Sequence, residues 1–222
     1  MSGHSVVIVD YGLGNIFSVQ RALTKVGASD VSISHDKQVI EKADRLVLPG
    51  VGAFGDGMKG LEERDLIPSI HDYAKSGRPI LGVCLGMQLI MSHSEEFGTH
   101  AGLDLLSGKV RLLEPGKDGR FKVPHIGWDP LESGDGLTST VGAWDDTLLK
   151  SVEEGSFMYF VHSYVVEPSD PKIQIASTRY GDDRYCSAFR KDNISGVQFH
   201  PELSGSDGLS IYRSFINGES AR

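Results

Sequence analysis

The order of apolar and polar residues differs between the two halves of the chain. In the first half, short continuous apolar runs alternate with segments that repeat apolar positions at helical spacing. Continuous runs of this kind are typical of strands buried on both faces of a parallel sheet. They predict strands at 5–12, at 45–55 (running into a glycine-rich loop) and at 78–83, and helices at 15–27, at 58–77 with a kink or break at Pro68, and from Leu85 onward.

Beyond about residue 105 the pattern changes to short β-type runs separated by turn residues, which predict an antiparallel extension of the sheet. The segment 133–146 is predicted as a loop or weak hairpin, and a final helix is predicted at 205–217. No repeat, linker or low-complexity tract interrupts the sequence. We therefore predict one α/β domain over residues 1–222, with an open, mostly parallel sheet, helices on both faces and an antiparallel β extension in the C-terminal half.

Composition and charge narrow the class of protein. The chain has 222 residues, 39% of them hydrophobic, which is enough for a substantial core. Its net charge of −8 argues against a nucleic-acid binder, because phosphate contacts need a basic surface. No signal-peptide pattern and no bilayer-length apolar run is present, and two cysteines cannot form a disulfide framework. These features predict a soluble, cytoplasmic protein. No histidine stands at metal-ligand spacing, so neither a metal nor a cofactor is expected.

One of the two cysteines stands at a tight corner. The sequence Gly82-Val83-Cys84-Leu85-Gly86 follows the third predicted strand, and Gly-x-nucleophile-x-Gly after a strand is typical of a nucleophile elbow. At such a turn the start of the next helix favours a thiolate, and the N–H of Leu85 can face a developing oxyanion. The alternative is a core cysteine whose neighbouring glycines only allow close helix packing.

A thiolate nucleophile needs a proton carrier and a group that orients it. His200 and Glu202 flank Pro201 at the end of a β run, and alternation along an extended chain puts both side chains on the same side. Taken alone, this tract also fits a surface turn. The loop at 48–57 can aim a backbone N–H into the site as a second oxyanion donor, and it lacks the Gly-Lys-Ser/Thr ending of a phosphate loop.

Six motifs together resemble a known family. They are GVCLGMQ, PGVGAF, YFVHSY, VQFHPE, DYGLGN and VPHIGW. The combination is similar to the class I (triad) glutamine amidotransferases, which have a flavodoxin-like fold, and within them to the glutaminase subunits of imidazole glycerol phosphate synthase. The resemblance runs over nearly the full length. It implies hydrolysis of glutamine to glutamate and ammonia, and transfer of that ammonia to a (β/α)8-barrel synthase subunit (HisF-like) that makes a heterodimer in histidine biosynthesis.

The resemblance also implies roles for individual residues. Cys84 would be the nucleophile, with His200 as proton shuttle and Glu202 orienting it. The remaining assignments are Leu85, Val51 and Gly52 for the oxyanion hole, Gln88, Glu96, Ser163 and Tyr164 for glutamine binding, and Asn15, His125 and Trp128 for the partner interface. The Val51 peptide is expected to turn before the oxyanion hole is complete.

Two positions depart from the family pattern near the partner face. Leu203 stands where the family usually has a lysine, and Asp129 stands where it often has asparagine. A paralogous glutaminase that supplies ammonia to a surface-polysaccharide sugar amidotransferase therefore stays open. So do another cysteine acyl hydrolase, such as a peptidase or γ-glutamyl hydrolase, and a non-catalytic binding module.

Overall fold

The fold comes from a computed structural model that describes residues 4–116, 119–134 and 144–218. The strands are β1 (Ser5–Val9), β2 (Asp30–Ser34), β3 (Arg45–Leu48), β4 (Ile80–Val83), β5 (His93–Ser94), β6 (His100–Ala101), β7 (Gly108–Leu112), β8 (His125–Pro130), β9 (Glu132–Ser133), β10 (Phe157–His162), β11 (Tyr164–Pro168), β12 (Gln174–Tyr180), β13 (Asp183–Lys191) and β14 (Ile194–Val197). The helices are α1 (Ile16–Lys25), α2 (Lys37–Lys42), α3 (Phe54–Glu63), α4 (Ile67–Lys75), α5 (Leu85–Leu89) and α6 (Gly205–Asn217), with short 3₁₀ turns at Pro171–Ile173 and Pro201–Leu203.

Within these ranges, twelve strands join one open sheet in the order β2-β1-β3-β4-β14-β13-β11-β7-β5-β6, with β12 pairing with β13 and with β9. The pairs from β2 to β14 are parallel, and β14 pairs with β13 in the antiparallel sense. This confirms the predicted α/β fold with a parallel sheet and an antiparallel extension. Strands β8 and β10 form a separate antiparallel pair.

Both faces of the parallel part are covered, as the continuous apolar runs predict. Along β1, Val6 and Ile8 join a core cluster with residues of α1 and α6, whereas Val7 and Val9 join a second cluster with residues of α2 to α5. Alternation along a strand sends these side chains to opposite faces. Strand β4 therefore lies between two packed core clusters, one on each face of the sheet.

The elements differ from the predicted ones in two places. The predicted helix 58–77 is two helices, because the chain breaks after Glu63 and Pro68 lies in the first turn of α4, where its missing N–H is tolerated.

Strand β2 and helix α2 were not predicted from the sequence. β2 lies at the edge of the sheet and is only partly buried, so its sequence lacks a continuous apolar run. Most of the predicted loop or hairpin 133–146 lies outside the described residues. No helix in the described ranges has the length and apolar character needed to cross a membrane.

The tight turn after β4 predicts that one methyl group added at Gly86 strongly lowers the stability of the fold. A Cβ at Gly86 would overlap the carbonyl oxygen of Leu48, which is backbone and cannot rotate away. Gly86→Ala should therefore lower the free energy of unfolding by about 3 kcal/mol in urea denaturation.

Gly127→Ala is the matched control, because a Cβ at Gly127 meets no atom within 4 Å. It should change stability by no more than about 0.5 kcal/mol. Equal effects of the two substitutions would contradict the close approach of α5 to the end of β3.

Candidate active site

Cys84 occupies the turn between β4 and α5 in a conformation that side chains rarely adopt. Its φ is 52° and its ψ is −111°, and its N–H donates to the carbonyl of Val197 at 2.8 Å. A non-glycine residue with positive φ persists only where the surrounding structure holds it. Here the end of β14 and the start of α5 hold the turn, as the elbow pattern predicts.

His200 and Glu202 lie together beyond the end of β14. Nδ1 of His200 and Oε1 of Glu202 are 2.9 Å apart, and both side chains are almost completely buried. The second carboxylate oxygen accepts a hydrogen bond from the hydroxyl of Tyr212 on α6 at 3.0 Å. Because Nδ1 donates to Glu202, Nε2 is the nitrogen left for proton exchange. Nε2 is buried, with no hydrogen-bond partner among the described residues.

The pKa of His200 is raised to about 10 by opposing effects. Burial alone lowers it, but the interactions with the Cys84 sulfur and with the Glu202 carboxylate outweigh burial. The Cys84 sulfur and the Glu202 carboxylate thus both favour the protonated form of the imidazole.

A cavity of about 340 Å³ opens beside Cys84, with room for a glutamine-sized molecule. Eight residues predicted from the sequence to act at the site line it, namely Val51, Gly52, Cys84, Leu85, Gln88, Glu96, Ser163 and Tyr164, and Pro124, Val161 and His162 complete the lining. These residues come from five separate stretches of the chain, at 51–52, 84–88, 96, 124 and 161–164. The tertiary fold brings them together around the sulfur.

Two polar side chains in the cavity wall are held by hydrogen bonds. Nε2 of Gln88 donates to the carbonyl of Tyr164 at 2.9 Å and to Oε1 of Gln198 at 3.1 Å. Oε2 of Glu96 accepts from the N–H of Phe54 at 2.6 Å, at the start of α3. Hydrogen bonds to protein atoms therefore orient both groups.

A backbone carbonyl occupies the predicted oxyanion-hole donor at Leu85. The N–H of Leu85 donates to the carbonyl of Gly50 at 3.4 Å, so the donor is already engaged. Tyr11 holds the loop that carries Gly50, because its hydroxyl donates to the carbonyl of Pro49. A substrate oxygen could accept a hydrogen bond from the N–H of Leu85 only after the carbonyl oxygen of Gly50 has moved away.

Comparison with known proteins identifies the family. The family described as Glutamine amidotransferase class-I matches residues 7–217. The chain belongs to the class I glutamine amidotransferases. It is 49% identical over 214 residues to a Legionella pneumophila (strain Paris) protein named imidazole glycerol phosphate synthase subunit HisH 1, covering 96% of this chain and 98% of that one. It is 44% identical to the HisH subunit of Aquifex aeolicus, covering 94% of each chain.

Solved structures support the same fold. A structure of PurLQS from Thermotoga maritima superposes with a TM-score of 0.70 over 97% of this chain and 98% of that chain, at 20% identity. Together with the family match, the geometry makes this amidotransferase a glutamine-hydrolysing cysteine enzyme. These findings favour glutamine hydrolysis over the alternatives of a non-catalytic binding module and of a different acyl hydrolase.

The three predicted partner residues of the amidotransferase have different surroundings. Asn15 and Trp128 are exposed, as a contact role requires. His125 is completely buried, so its side chain lies beneath the surface that carries Trp128. Its Nε2 lies 2.6 Å from Oδ2 of Asp129 and its Nδ1 lies 3.0 Å from the hydroxyl of Tyr185. The β8 alternation places His125 on the inner face of the β8–β10 pair and Trp128 on the outer one.

His162 is a satisfied strand histidine that also faces the cavity. Nδ1 lies 3.1 Å from the carbonyl of Tyr164, and Nε2 lies 3.2 Å from the hydroxyl of Tyr185. Burial, with His125 and His200 nearby, lowers the pKa of His162 to about 3. The ring is therefore neutral at physiological pH and contributes no charge to the cavity.

Two residues in the amidotransferase site escaped prediction. Tyr212 lies ten residues beyond Glu202 on the buried face of α6. Its sequence neighbours are typical of a core helix, so the local sequence does not indicate a role in the site. Gln198 precedes His200 by two positions at the end of the same β run, and its Nε2 lies 3.7 Å from Sγ of Cys84. The alternation predicted for positions 200 and 202 also includes position 198, so a usable signal was present.

The raised pKa of His200 predicts a pH dependence of stability. Below about pH 6.5 the folded and unfolded states both hold the proton, so the stabilisation is complete. Between pH 6.5 and about pH 10 only the folded state holds it, and the stabilisation falls as pH rises. Denaturation of wild type and His200→Asn should therefore give a difference in unfolding free energy that is largest at the acid end and shrinks toward pH 10. A difference independent of pH would contradict this.

Proposed function

We propose that this chain is the glutaminase subunit of an imidazole glycerol phosphate synthase, formed as one amidotransferase domain over residues 1–222. The observation that carries the proposal is the cluster of Cys84, His200 and Glu202 beside a cavity of about 340 Å³. The names of relatives at 44% and 49% identity support the assignment to this synthase. Both cysteines are free, which supports a reducing, cytoplasmic setting.

In the first half of the proposed reaction, the sulfur of Cys84 forms a bond to the side-chain amide carbon of glutamine. The electron pair of the carbonyl moves onto its oxygen, giving a tetrahedral intermediate. His200 then delivers the proton on Nε2 to the amide nitrogen, the carbon–nitrogen bond breaks, and ammonia leaves. Glu202 keeps Nδ1 engaged, so the proton moves only through Nε2.

In the second half, water attacks the resulting thioester. The neutral His200 takes a proton from that water, and collapse of the second tetrahedral intermediate breaks the carbon–sulfur bond. Glutamate leaves and the sulfur is restored. Tyr212 and Glu202 keep the imidazole in one orientation through both halves, which supports a single proton carrier for the acylation and the hydrolysis.

Substrate glutamine is proposed to bind through Gln88, Glu96, Ser163 and Tyr164. Glu96 supplies the negative charge in the cavity wall that suits an α-amino group, since none of the other residues lining the described cavity is acidic. Ser163 and Tyr164 border the same space. Polar groups placed in advance favour one binding orientation of a small polar substrate.

The oxyanion hole is proposed to include the N–H of Leu85 and a backbone donor from Val51 or Gly52. The hydrogen bond from Leu85 to the carbonyl of Gly50 blocks that arrangement in the isolated subunit. Turning the peptide that joins Gly50 to Val51 would remove the oxygen and present an N–H in its place. A low activity that rises when the partner binds follows from this switch.

The partner is proposed to be a (β/α)8-barrel synthase subunit that receives ammonia directly. Ile126 and Trp128 on β8 and Phe157 and Val161 on β10 are exposed large apolar residues on paired strands. Val161 also lines the cavity, so this apolar face adjoins the site where ammonia forms. An exposed patch of this kind is typical of a protein interface.

A glutaminase that serves a surface-polysaccharide sugar amidotransferase remains the second candidate, with the same chemistry. It is favoured by Leu203, which is exposed where the family usually carries a lysine toward the synthase. Co-purification of the partner from the native cell separates the two. Recovery of a barrel subunit that forms imidazole glycerol phosphate supports the first candidate, and recovery with sugar-amidating enzymes supports the second.

Reaction with a chloroketone analogue of glutamine should modify Cys84 and leave Cys186 unmodified. Burial raises the pKa of Cys186 well above that of an ordinary thiol, and Cys186 lies outside the cavity lining. Cys84→Ala should abolish ammonia release and still bind the partner, as measured by a coupled ammonia assay and by titration calorimetry.

Cys186→Ala is the matched control and should keep most of the activity. Modification at Cys186, or full turnover in Cys84→Ala, would remove Cys84 from the role of nucleophile.

Trp128→Ala should weaken binding of the barrel subunit at least tenfold, because a large aromatic residue in an apolar interface contributes about 2 kcal/mol or more. Titration calorimetry with the purified barrel subunit measures this directly. Val39→Ala removes a similarly exposed apolar side chain on α2 and should leave the dissociation constant unchanged. Unchanged binding by Trp128→Ala would exclude β8 from the interface.

A further inference from the structure

Gln198 has a fully buried side chain that touches the sulfur of Cys84. Its Nε2 lies 3.7 Å from Sγ, a normal separation for an N–H donor and a sulfur acceptor, and none of the side chain is exposed to solvent. Gln198 follows β14 directly, and its N–H donates to the carbonyl of Ser187 on β13 at 2.9 Å. The backbone on which the amide stands is therefore anchored to the sheet.

The orientation of the Gln198 amide follows from the groups around it. The carbonyl of Tyr164 can only accept, so the atom of Gln88 that faces it must be Nε2. The same Nε2 also faces Gln198, whose facing atom must then be the acceptor Oε1. The other amide atom, the donor Nε2, is left to face the sulfur. A backbone carbonyl thus determines that Cys84 receives a donor and not an acceptor.

The sulfur has few other groups to stabilise a negative charge. The titratable side chains around it are His200, with Glu202 behind it, and Tyr11, which interacts with Cys84 across the loop at Gly50. Burial, with Cys84 as a second cause, raises the pKa of Tyr11 far above its ordinary value, so that phenol stays neutral. His162 is neutral as well. Among the described side chains named here, His200 and Gln198 are therefore the two that suit an anionic sulfur, in addition to the start of α5.

We propose that Gln198 is a further catalytic residue of the glutaminase, whose amide Nε2–H donates to the Cys84 sulfur and stabilises the thiolate while its Oε1 holds Gln88. The inference rests on the proposed role of Cys84 as nucleophile. Before attack, the donor raises the fraction of enzyme in the thiolate form. During hydrolysis of the thioester, the same donor stabilises the sulfur as it regains negative charge and leaves. Both effects act on the bond that the reaction forms and breaks.

The test is a titration of the thiolate by its ultraviolet absorbance, taken as the difference from Cys84→Ala and recorded on the full chain without substrate. Gln198→Met keeps an unbranched side chain of similar size and removes the amide. We expect the midpoint of the thiolate signal to move up by about one pH unit, which corresponds to a tenfold loss of stabilisation. The rate of glutamine hydrolysis near neutral pH should fall to a similar extent in the complex with the partner.

Ser187→Ala is the matched control, because it removes a buried hydroxyl that has no hydrogen-bond partner among the described residues, on the strand next to Gln198. It should leave the thiolate midpoint unchanged. Gln198→Asn provides a second variant if Gln198→Met does not fold, because the shorter side chain withdraws the amide from the sulfur. It should move the midpoint in the same direction.

Three results would overturn the proposal. One is an unchanged midpoint in the Gln198 variants. Another is an equal shift in Ser187→Ala. The third is a loss of turnover in Gln198→Met with an unchanged midpoint of the thiolate titration, which would mean that Gln198 acts only by positioning Gln88. The titration needs no glutamine turnover, so a failure of the proposed glutaminase function would appear separately, as an inactive wild type with a normal thiolate signal.

Discussion

The close approach of α5 to the end of β3 is the constraint on which the site depends. There is no space for a side chain at Gly86 beside the Leu48 carbonyl, so the helix begins immediately after the strand. Cys84 makes this turn at positive φ. This conformation lifts the thiol out of the sheet and into the cavity, within reach of a histidine more than a hundred residues away. The energy stored in that backbone is offset by packing on both faces of the sheet.

A second constraint is the direction of hydrogen bonds around the carbonyl of Tyr164. That oxygen accepts from Gln88 on one side and faces Nδ1 of His162 on the other. Since a carbonyl cannot donate, it sets the orientation of each neighbouring amide and ring in turn. On one branch the order ends at the sulfur of Cys84, and on the other it reaches the hydroxyl of Tyr185. One network of buried hydrogen bonds therefore holds the cavity wall.

The Gly50 loop shows how the proposed triad can be aligned while the proposed oxyanion hole is blocked. His200 and Glu202 are already aligned, but Leu85 still donates to the Gly50 carbonyl. The loop lies between the buried Tyr11 and the exposed Val51, so one end is held and the other is open to a partner. In the proposed mechanism this division separates chemistry from control: the sheet holds Cys84, and the peptide between Gly50 and Val51 supplies the second oxyanion donor.

Several features could be predicted from local sequence because each depends on residues close together in the chain. Alternating apolar runs and helical repeats indicate the parallel sheet, and glycines around Cys84 indicate the elbow. The close spacing of His200 and Glu202 predicts that they meet, although a 3₁₀ turn at Pro201–Leu203 brings them together and not strand alternation. The edge strand β2 was not predicted because an exposed edge needs no continuous apolar run.

Other features depend on contacts between distant segments, and no local pattern encodes these. The burial of His125, the hydrogen bond from Tyr212 to Glu202, and the engagement of Leu85 by Gly50 all arise where separate elements pack together. The same holds for the contact of Gln198 with the sulfur, although alternation already placed Gln198 on the correct side. Residue types and spacing therefore determined which chemistry was possible, whereas packing determined which donors and acceptors meet, because hydrogen bonds depend on distances and directions that only the folded chain defines.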